Sequence, residues 1–417
     1  MDKIIDSIYL GIISGYRNST DISILTGSSG KILFLGYHYN STCNKEILSK
    51  LEEIIAYTID LINNNDFKHQ DFTYGGGITG FYWVINHLYR KNLLFKDSAA
   101  LKNILNNKTE HSIVESLEMD FLLSRYDPLY GYLGKGLYFL SKPESALSKS
   151  VIEKILQILS RDRVQVDVES ITWVDFRLKY EYDDAKNERF VLGNCGQAHG
   201  ITGIISFLCT VLEKYNSKRI KNIAAGLLRP AVNWLLAQEI PVSERDFYYF
   251  PQSVNLLNRG GERASKFSRL GWCYGDHIIA YTLYRVAIVL NEEKYRSKAD
   301  EVTLNSCRIP LERSGVTAQA EQKQFDPTIC HGAAGIAHIY QRIYHYNKSP
   351  QVAEACTFWK EITRDYTESY LNTGKLLNLS DKSQEAFDLL YGYAGIGLHL
   401  IADVYSNYGW DSCILLE

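Results

Sequence analysis

The chain lacks what a membrane passage would need. In 417 residues no window approaches the ~18 uncharged apolar residues of a spanning helix, and the richest run, Ile278 to Leu290, is interrupted by Arg285. The first residues, Met1-Asp2-Lys3-Ile4-Ile5-Asp6, carry acids and no basic stretch ahead of an apolar core, so no signal peptide is expected. Cysteine is scarce: eight residues are too few for a disulfide scaffold. Without an export signal, a reduced cytoplasmic setting is the expectation, and cysteines there are buried, catalytic or metal-bound. A basic excess is missing too. The net charge of −3 argues against nucleic acid held by phosphate neutralisation.

What the chain does have is apolar mass and a repeat. Hydrophobic residues make up 46% and charged residues 22%, enough to bury a full core. A glycine-bearing turn followed by an apolar, helix-like run recurs seven times, at Gly27, Gly77, Gly131, Gly200, Gly275, Gly332 and Gly392. The steps are 50, 54, 69, 75, 57 and 60 residues, each with room for two helices and their connections. Between the turns the pattern is amphipathic: Ile47, Leu51, Ile54, Ile55, Thr58, Leu61 and Ile62 recur with helical spacing, as do Val151, Ile155, Ile158 and Leu159. Residues 218–240 repeat it, with Pro230 a kink or break. After the turns the runs are apolar nearly all round, which suits inner helices buried on both sides.

Seven inner helices alternating with seven outer ones predict an all-α fold, a sevenfold α/α toroid spanning 1–417 as one domain. Glycine at each turn provides positive φ or close backbone approach at a crowded centre. Two stretches break the rhythm. In a strand-like insertion at about 163–182, Val164, Val166 and Val168 alternate with polar residues, as do Val174, Phe176, Leu178 and Tyr180. A polar, irregular insertion at about 241–270 carries Arg245, Arg259, Arg263, Lys266 and Arg269. These two insertions account for the steps of 69 and 75.

The chemistry concentrates in two turns. Trp272-Cys273-Tyr274-Gly275 and Ile329-Cys330-His331-Gly332 supply two thiols and an imidazole, a zinc-ligand set. Three protein ligands leave a fourth position open, the pattern of a catalytic zinc. If every inner helix begins at one rim, these turns are neighbours, and His199 and Asp127 from the fourth and third turns stand on the same rim. Cys195 lies four residues before His199, and His277 one helical turn after Cys273. Cys43, Cys209, Cys307, Cys356 and Cys413 read as small buried hydrophobes.

Three segments resemble the lanthionine synthetase C family, the lanthipeptide cyclases and their relatives. They are Gln197-Ala-His199-Gly200-Ile-Thr-Gly203, Arg269-Leu-Gly-Trp272-Cys273-Tyr274-Gly275 and Cys330-His331-Gly332-Ala-Ala-Gly335. The resemblance implies a sevenfold α/α toroid with one Zn2+ per chain at its mouth, held by Cys273, Cys330 and His331. It implies an acid/base role for His199 and active-site positions for Arg269, Tyr274 and Asp127, the last in Tyr126-Asp127-Pro-Leu-Tyr130-Gly131. Where relatives often continue the zinc-cysteine motif with proline and glycine, this chain has Asp276-His277-Ile278.

The implied reaction is addition of a peptide cysteine thiol to dehydroalanine or dehydrobutyrine, forming a thioether ring. A free thiol with pKa ~8.5 is mostly protonated at neutral pH, and metal coordination removes that proton. The partners so implied are a dehydrated precursor peptide with its leader, and a dehydratase and transporter complex at the membrane. Three other readings stand beside it: addition of a small thiol such as glutathione to dehydroamino acids, a prenyltransferase-like toroid, and a non-catalytic peptide-binding scaffold. The paired cysteines argue against the prenyltransferase ligand set of Asp, Cys and His.

Overall fold

The computed structural model describes residues 2–68, 71–94, 107–174, 181–183, 188–257, 268–319, 324–376, 379–380 and 384–417. Among them fourteen α-helices alternate strictly between an outer and an inner layer. The outer helices are α1 Lys3–Gly15, α3 Lys45–Asn63, α5 Asn107–Leu122, α7 Ala146–Asp162, α9 Lys218–Ala237, α11 Glu293–Ser306 and α13 Pro350–Thr373. The inner helices are α2 Ser28–Thr42, α4 Ile78–Arg90, α6 Tyr132–Leu140, α8 Ile201–Lys214, α10 Asp276–Leu290, α12 Ala333–Ile343 and α14 Tyr393–Tyr405. Each inner helix touches the next, and α14 packs back on α2, so the ring closes. The fold is a helical toroid, all-α apart from short two-stranded ribbons. No helix among the described residues is long and apolar enough to cross a membrane.

The two layers follow from the two sequence patterns. On α3, Ile47, Leu51, Ile54, Ile55, Thr58 and Leu61 are buried while the opposite stripe faces water. On α2 the consecutive residues Ile32, Leu33, Phe34 and Leu35 are all buried, because the helix has neighbours on every side. Pro230 does not break α9, which runs unbroken through it. Residue 226, whose carbonyl faces the proline ring, is an exposed glycine with nothing within 4 Å of where a Cβ would stand.

Every inner helix takes one of the seven expected glycines as its N-cap. The reason is close approach. At all seven caps a Cβ would run into the carbonyl oxygen of the residue six positions earlier. Only Gly275 also has a positive φ, of 127°. The other six turns carry a second glycine three residues after the cap, where the fifth has Ile278. At Gly335 that second glycine sits against the Ile329 carbonyl, next to Cys330. Gly335→Ala is therefore expected to cost about 1–3 kcal/mol, read as a lower melting temperature.

The insertions are more ordered than their composition suggests. In the first, β1 Val164–Gln165 pairs with β2 Ile171–Thr172. The alternation at Val164, Val166 and Val168 buries no face: Val166 and Val168 are exposed, and the buried residues are Ser170, Ile171, Thr172 and Trp173. Phe176, Leu178 and Tyr180 lie outside the described residues, as do Arg259, Arg263 and Lys266. Beyond the ribbon β3 Glu181–Asp183 and β4 Glu188–Phe190, β5 Leu192–Asn194 pairs with β6 Ser253–Asn255, tying the second insertion to the strand that leads into the fourth turn. That insertion also buries Tyr248, Tyr249 and Phe250, and Asp276 accepts the Tyr249 and Phe250 amides at 2.7 and 3.1 Å. It is anchored on the first residue of α10.

The centre of the ring is filled by the segment after α14. Trp410, Cys413, Ile414, Leu415 and Leu416 are buried. Their carbonyls are held from around the ring: Tyr74 donates to Cys413 O (3.0 Å), Trp272 Nε1 to Ile414 O (2.9 Å) and Tyr281 to Leu416 O (2.9 Å). Since Trp272 precedes Cys273, this plug is the floor of the fifth turn.

Candidate functional site

The turn register places the chemistry. Two residues before each cap glycine stand Leu25, Gly75, Leu129, Ala198, Cys273, Cys330 and Leu390, all buried. One residue before it stand Thr26, Gly76, Tyr130, His199, Tyr274, His331 and Tyr391, all half-buried or exposed. The first set is the inner layer of the rim and the second its solvent-facing layer.

Peptide hydrogen bonds run from turn to turn through this register. Leu25 N–H donates to Gly75 O (3.3 Å), Gly75 to Leu129 (2.6 Å), Gln197 to Cys273 (2.8 Å), Trp272 to Cys330 (3.0 Å), Cys330 to Leu390 (3.0 Å) and Leu389 to Leu25 (3.0 Å). Cys273 and Cys330 hold the same place in adjacent turns, which is why the fold presses them together. At the junction of the third and fourth turns the Leu129 amide turns instead to Asp127 Oδ1, at 2.7 Å. There the turns are bridged by the side chains of Asp127 and His199.

One atom each from Cys273, Cys330 and His331 lies within 4.8 Å of the other two. Cys330 Sγ is 3.5 Å from His331 Nε2. With Zn–S bonds of ~2.3 Å and Zn–N bonds of ~2.0 Å, ligand atoms of a tetrahedral site stand roughly 3.5–3.8 Å apart, so small side-chain movements suffice to close the set on an ion. The charge balance points the same way. Burial pushes the Cys273 thiol up, but hydrogen bonds from Cys330 and His331 and the charges of His331 and Arg269 outweigh it and bring it down to about 5. The Cys330 thiol is held well above its ordinary value, first by its bond to Cys273 and then by burial. Of the two thiols, Cys273 is the one that loses its proton more readily. These residues fit a zinc ion.

Asp127 is fully buried, and its Oδ1 accepts the Leu129 and Tyr130 amides at 2.7 and 2.9 Å. Its Oδ2 lies 2.5 Å from His199 Nδ1. A carboxylate only accepts, so Nδ1 carries the hydrogen and Nε2 is left to exchange a proton. The Tyr130 ring stacks on His199 with centroids 6.2 Å apart.

Arg269 and Tyr274 lie on the cysteine side of the rim. Arg269 exerts its charge on Cys273 and Asp326. Among the described residues no ion pair joins it to Asp127, whose charge partner is His199. Tyr274 Oη accepts from Asn194 Nδ2 at 2.9 Å, which ties the Cys273 turn to the strand before His199. Cys195 stands apart, buried with its thiol pushed up to about 12 by burial. His277 is buried against Tyr340 and brought down to about 3 by burial, so it stays neutral. The sequence reading assigns no site role to Tyr130, Asn194 or Tyr391; the place one before each cap glycine is the signal for both tyrosines.

An α/α toroid with a two-cysteine, one-histidine cluster in its turns is the class that fold and site define. The chain belongs to the family described as lanthionine synthetase C-like protein, which it matches over residues 18–415. Among solved structures it is similar to nisin cyclase, at 18% identity and a TM-score of 0.74, covering 99% of this chain and 96% of that one. It also overlays the GH76A alpha-1,6-mannanase from Salegentibacter sp. HEL1_6, at 9% identity and a TM-score of 0.46 over 96% of this chain and 98% of that one, a likeness too loose to carry an argument. No curated protein matches it.

Proposed function

We propose that the protein is a zinc-dependent lanthipeptide cyclase, which adds peptide cysteine thiols to dehydroalanine or dehydrobutyrine. The observation that carries this reading is the Cys273–Cys330–His331 cluster on one rim with the Asp127–His199 pair. Family membership and a fold shared with nisin cyclase support it. Cys273, Cys330 and His331 would hold the ion. Zinc bound there supplies Lewis acidity that lowers the pKa of a thiol brought to its open position.

The chain's own residues do the rest. Asp127 fixes the His199 ring so that Nε2 receives the thiol proton or returns one to the substrate α-carbon. Thioether formation joins sulfur to the β-carbon, moves the alkene electron pair to the α-carbon and its carbonyl, and ends with a proton at the α-carbon. Arg269 places positive charge beside the cluster, where an enolate gains from it. The rim, open on one face and floored by Trp410 to Leu416, admits a peptide loop from the solvent side. The substrate is a dehydrated precursor peptide carrying its leader, formed by a separate dehydratase in the cytoplasm and passed on to a transporter.

Ring closure conserves peptide mass and consumes one thiol per ring. A dehydrated, cysteine-bearing peptide incubated with zinc-loaded protein is therefore expected to keep its mass and lose alkylatable thiols. If every thiol stays alkylatable, cyclisation is ruled out. A mass gain of one glutathione per dehydro residue would move the small-thiol reading to the front.

A further inference from the structure

Tyr391 is a rim residue that the mechanism above does not use. Tyr391 occupies, in the seventh turn, the place that His331 occupies in the sixth and His199 in the fourth. Its ring lies against the His331 ring, with centroids 5.7 Å apart. Its Oη is 3.7 Å from Cys330 Sγ, which as a thiol donates to it. Once that thiol is ionised, only the phenol O–H can donate across the contact.

A buried thiolate needs such a donor, and three nearby backbone amides are already engaged elsewhere. The amides of Trp272, Cys273 and Cys330 are all committed to carbonyls of the turn-to-turn ring: Trp272 and Cys273 both donate to Cys330 O, and Cys330 donates to Leu390 O. His331 Nε2 reaches the Cys330 sulfur, but the His331 ring is itself grouped with the two thiols as a metal ligand. With the His331 ring on an ion, the Tyr391 phenol O–H is a side-chain hydrogen still within reach of the sulfur.

We propose that Tyr391 is a positioning residue of the metal centre, whose phenol O–H donates to the Cys330 sulfur and whose ring braces His331. This rests on the metal reading given above. The hydrogen bond draws charge off one of two adjacent thiolates, eases their repulsion, and sets Cys330 as the weaker electron donor of the pair. Partners of metal ligands at this remove commonly change metal affinity by roughly 10–100-fold when removed. Tyr130 is the control: it has the same register and a similar exposure but stacks on His199 rather than on the cluster.

The test uses cobalt(II) in place of zinc in the full-length wild type, Tyr391→Phe and Tyr130→Phe. Phenylalanine keeps the ring at a position 40% exposed, so Tyr391→Phe is expected to fold. Its sulfur-to-cobalt charge-transfer band should move to longer wavelength, and its zinc should pass to a competing chelator at about 10-fold lower chelator concentration. Tyr130→Phe should leave both unchanged. A Tyr391→Phe spectrum and affinity superimposable on wild type overturn the assignment while leaving the metal reading intact. An equal shift in Tyr130→Phe overturns it too, since the effect would then belong to the rim at large. Failure of the wild type to take up cobalt or zinc overturns the metal reading and this assignment together.

Discussion

Cys330→Ala is expected to purify folded and without zinc, against about one zinc per chain in the wild type, as three ligands become two. Folding survives because the Cys330 backbone, not its sulfur, joins the ring of turns: its amide donates to Leu390 O and its carbonyl accepts from Trp272 and Cys273. Removing the buried sulfur leaves a small void, at a cost of about 1 kcal/mol. Cyclisation should fall much further. A free thiol of pKa ~8.5 is only a few per cent ionised at pH 7, so the lost ionisation alone slows addition about 30-fold. The lost positioning of thiol against alkene multiplies this, since orientation effects are far larger. We expect a rate at the limit of detection, read by thiol alkylation alongside metal analysis and a thermal melt. A variant that keeps full zinc would show that the ion sits elsewhere, and one that loses zinc but cyclises normally would show that the metal is structural.

The same backbone ring explains which parts of the protein can be read in the sequence. The cap glycines are legible because each answers to a local clash with a carbonyl six residues back, a constraint written within one turn. Cys273, Cys330 and His331 are legible because a repeat register turns sequence position into spatial adjacency. The Asp127–His199 bond was foreseeable only as two residues on one rim. Their contact depends on Asp127 standing four residues before its cap, where its Oδ1 closes the turn and its Oδ2 is left to face the next one. The plug from Trp410 to Leu416 was not legible: it forms a short 3-10 turn with no amphipathic period, and its carbonyls are satisfied by side chains up to 339 residues away. The alternating valines misled for the opposite reason. A period of two is necessary for a half-buried strand, but with no partner surface Val166 and Val168 stay in water.

Asp127→Asn should separate proton transfer from metal binding. The asparagine carbonyl oxygen can accept the Leu129 and Tyr130 amides as Oδ1 does now, so the third turn keeps its shape. Its amide group then faces His199 Nδ1 where a carboxylate oxygen stood, and two donors would meet. The neutral imidazole escapes by moving its hydrogen to Nε2, which removes the acceptor on the substrate side. A correctly placed acid/base group contributes about 10²–10⁴-fold, and a wrong tautomer forfeits most of it. We therefore expect the cyclisation rate to fall by about 10²–10⁴ at full zinc content, the loss lying in kcat rather than KM because peptide binding does not depend on the tautomer. Alanine at the same position would also unmake the turn and is the less informative change. A rate within about threefold of wild type would mean that His199 takes no part in proton transfer. The ring opening at this junction would then be a feature of packing alone.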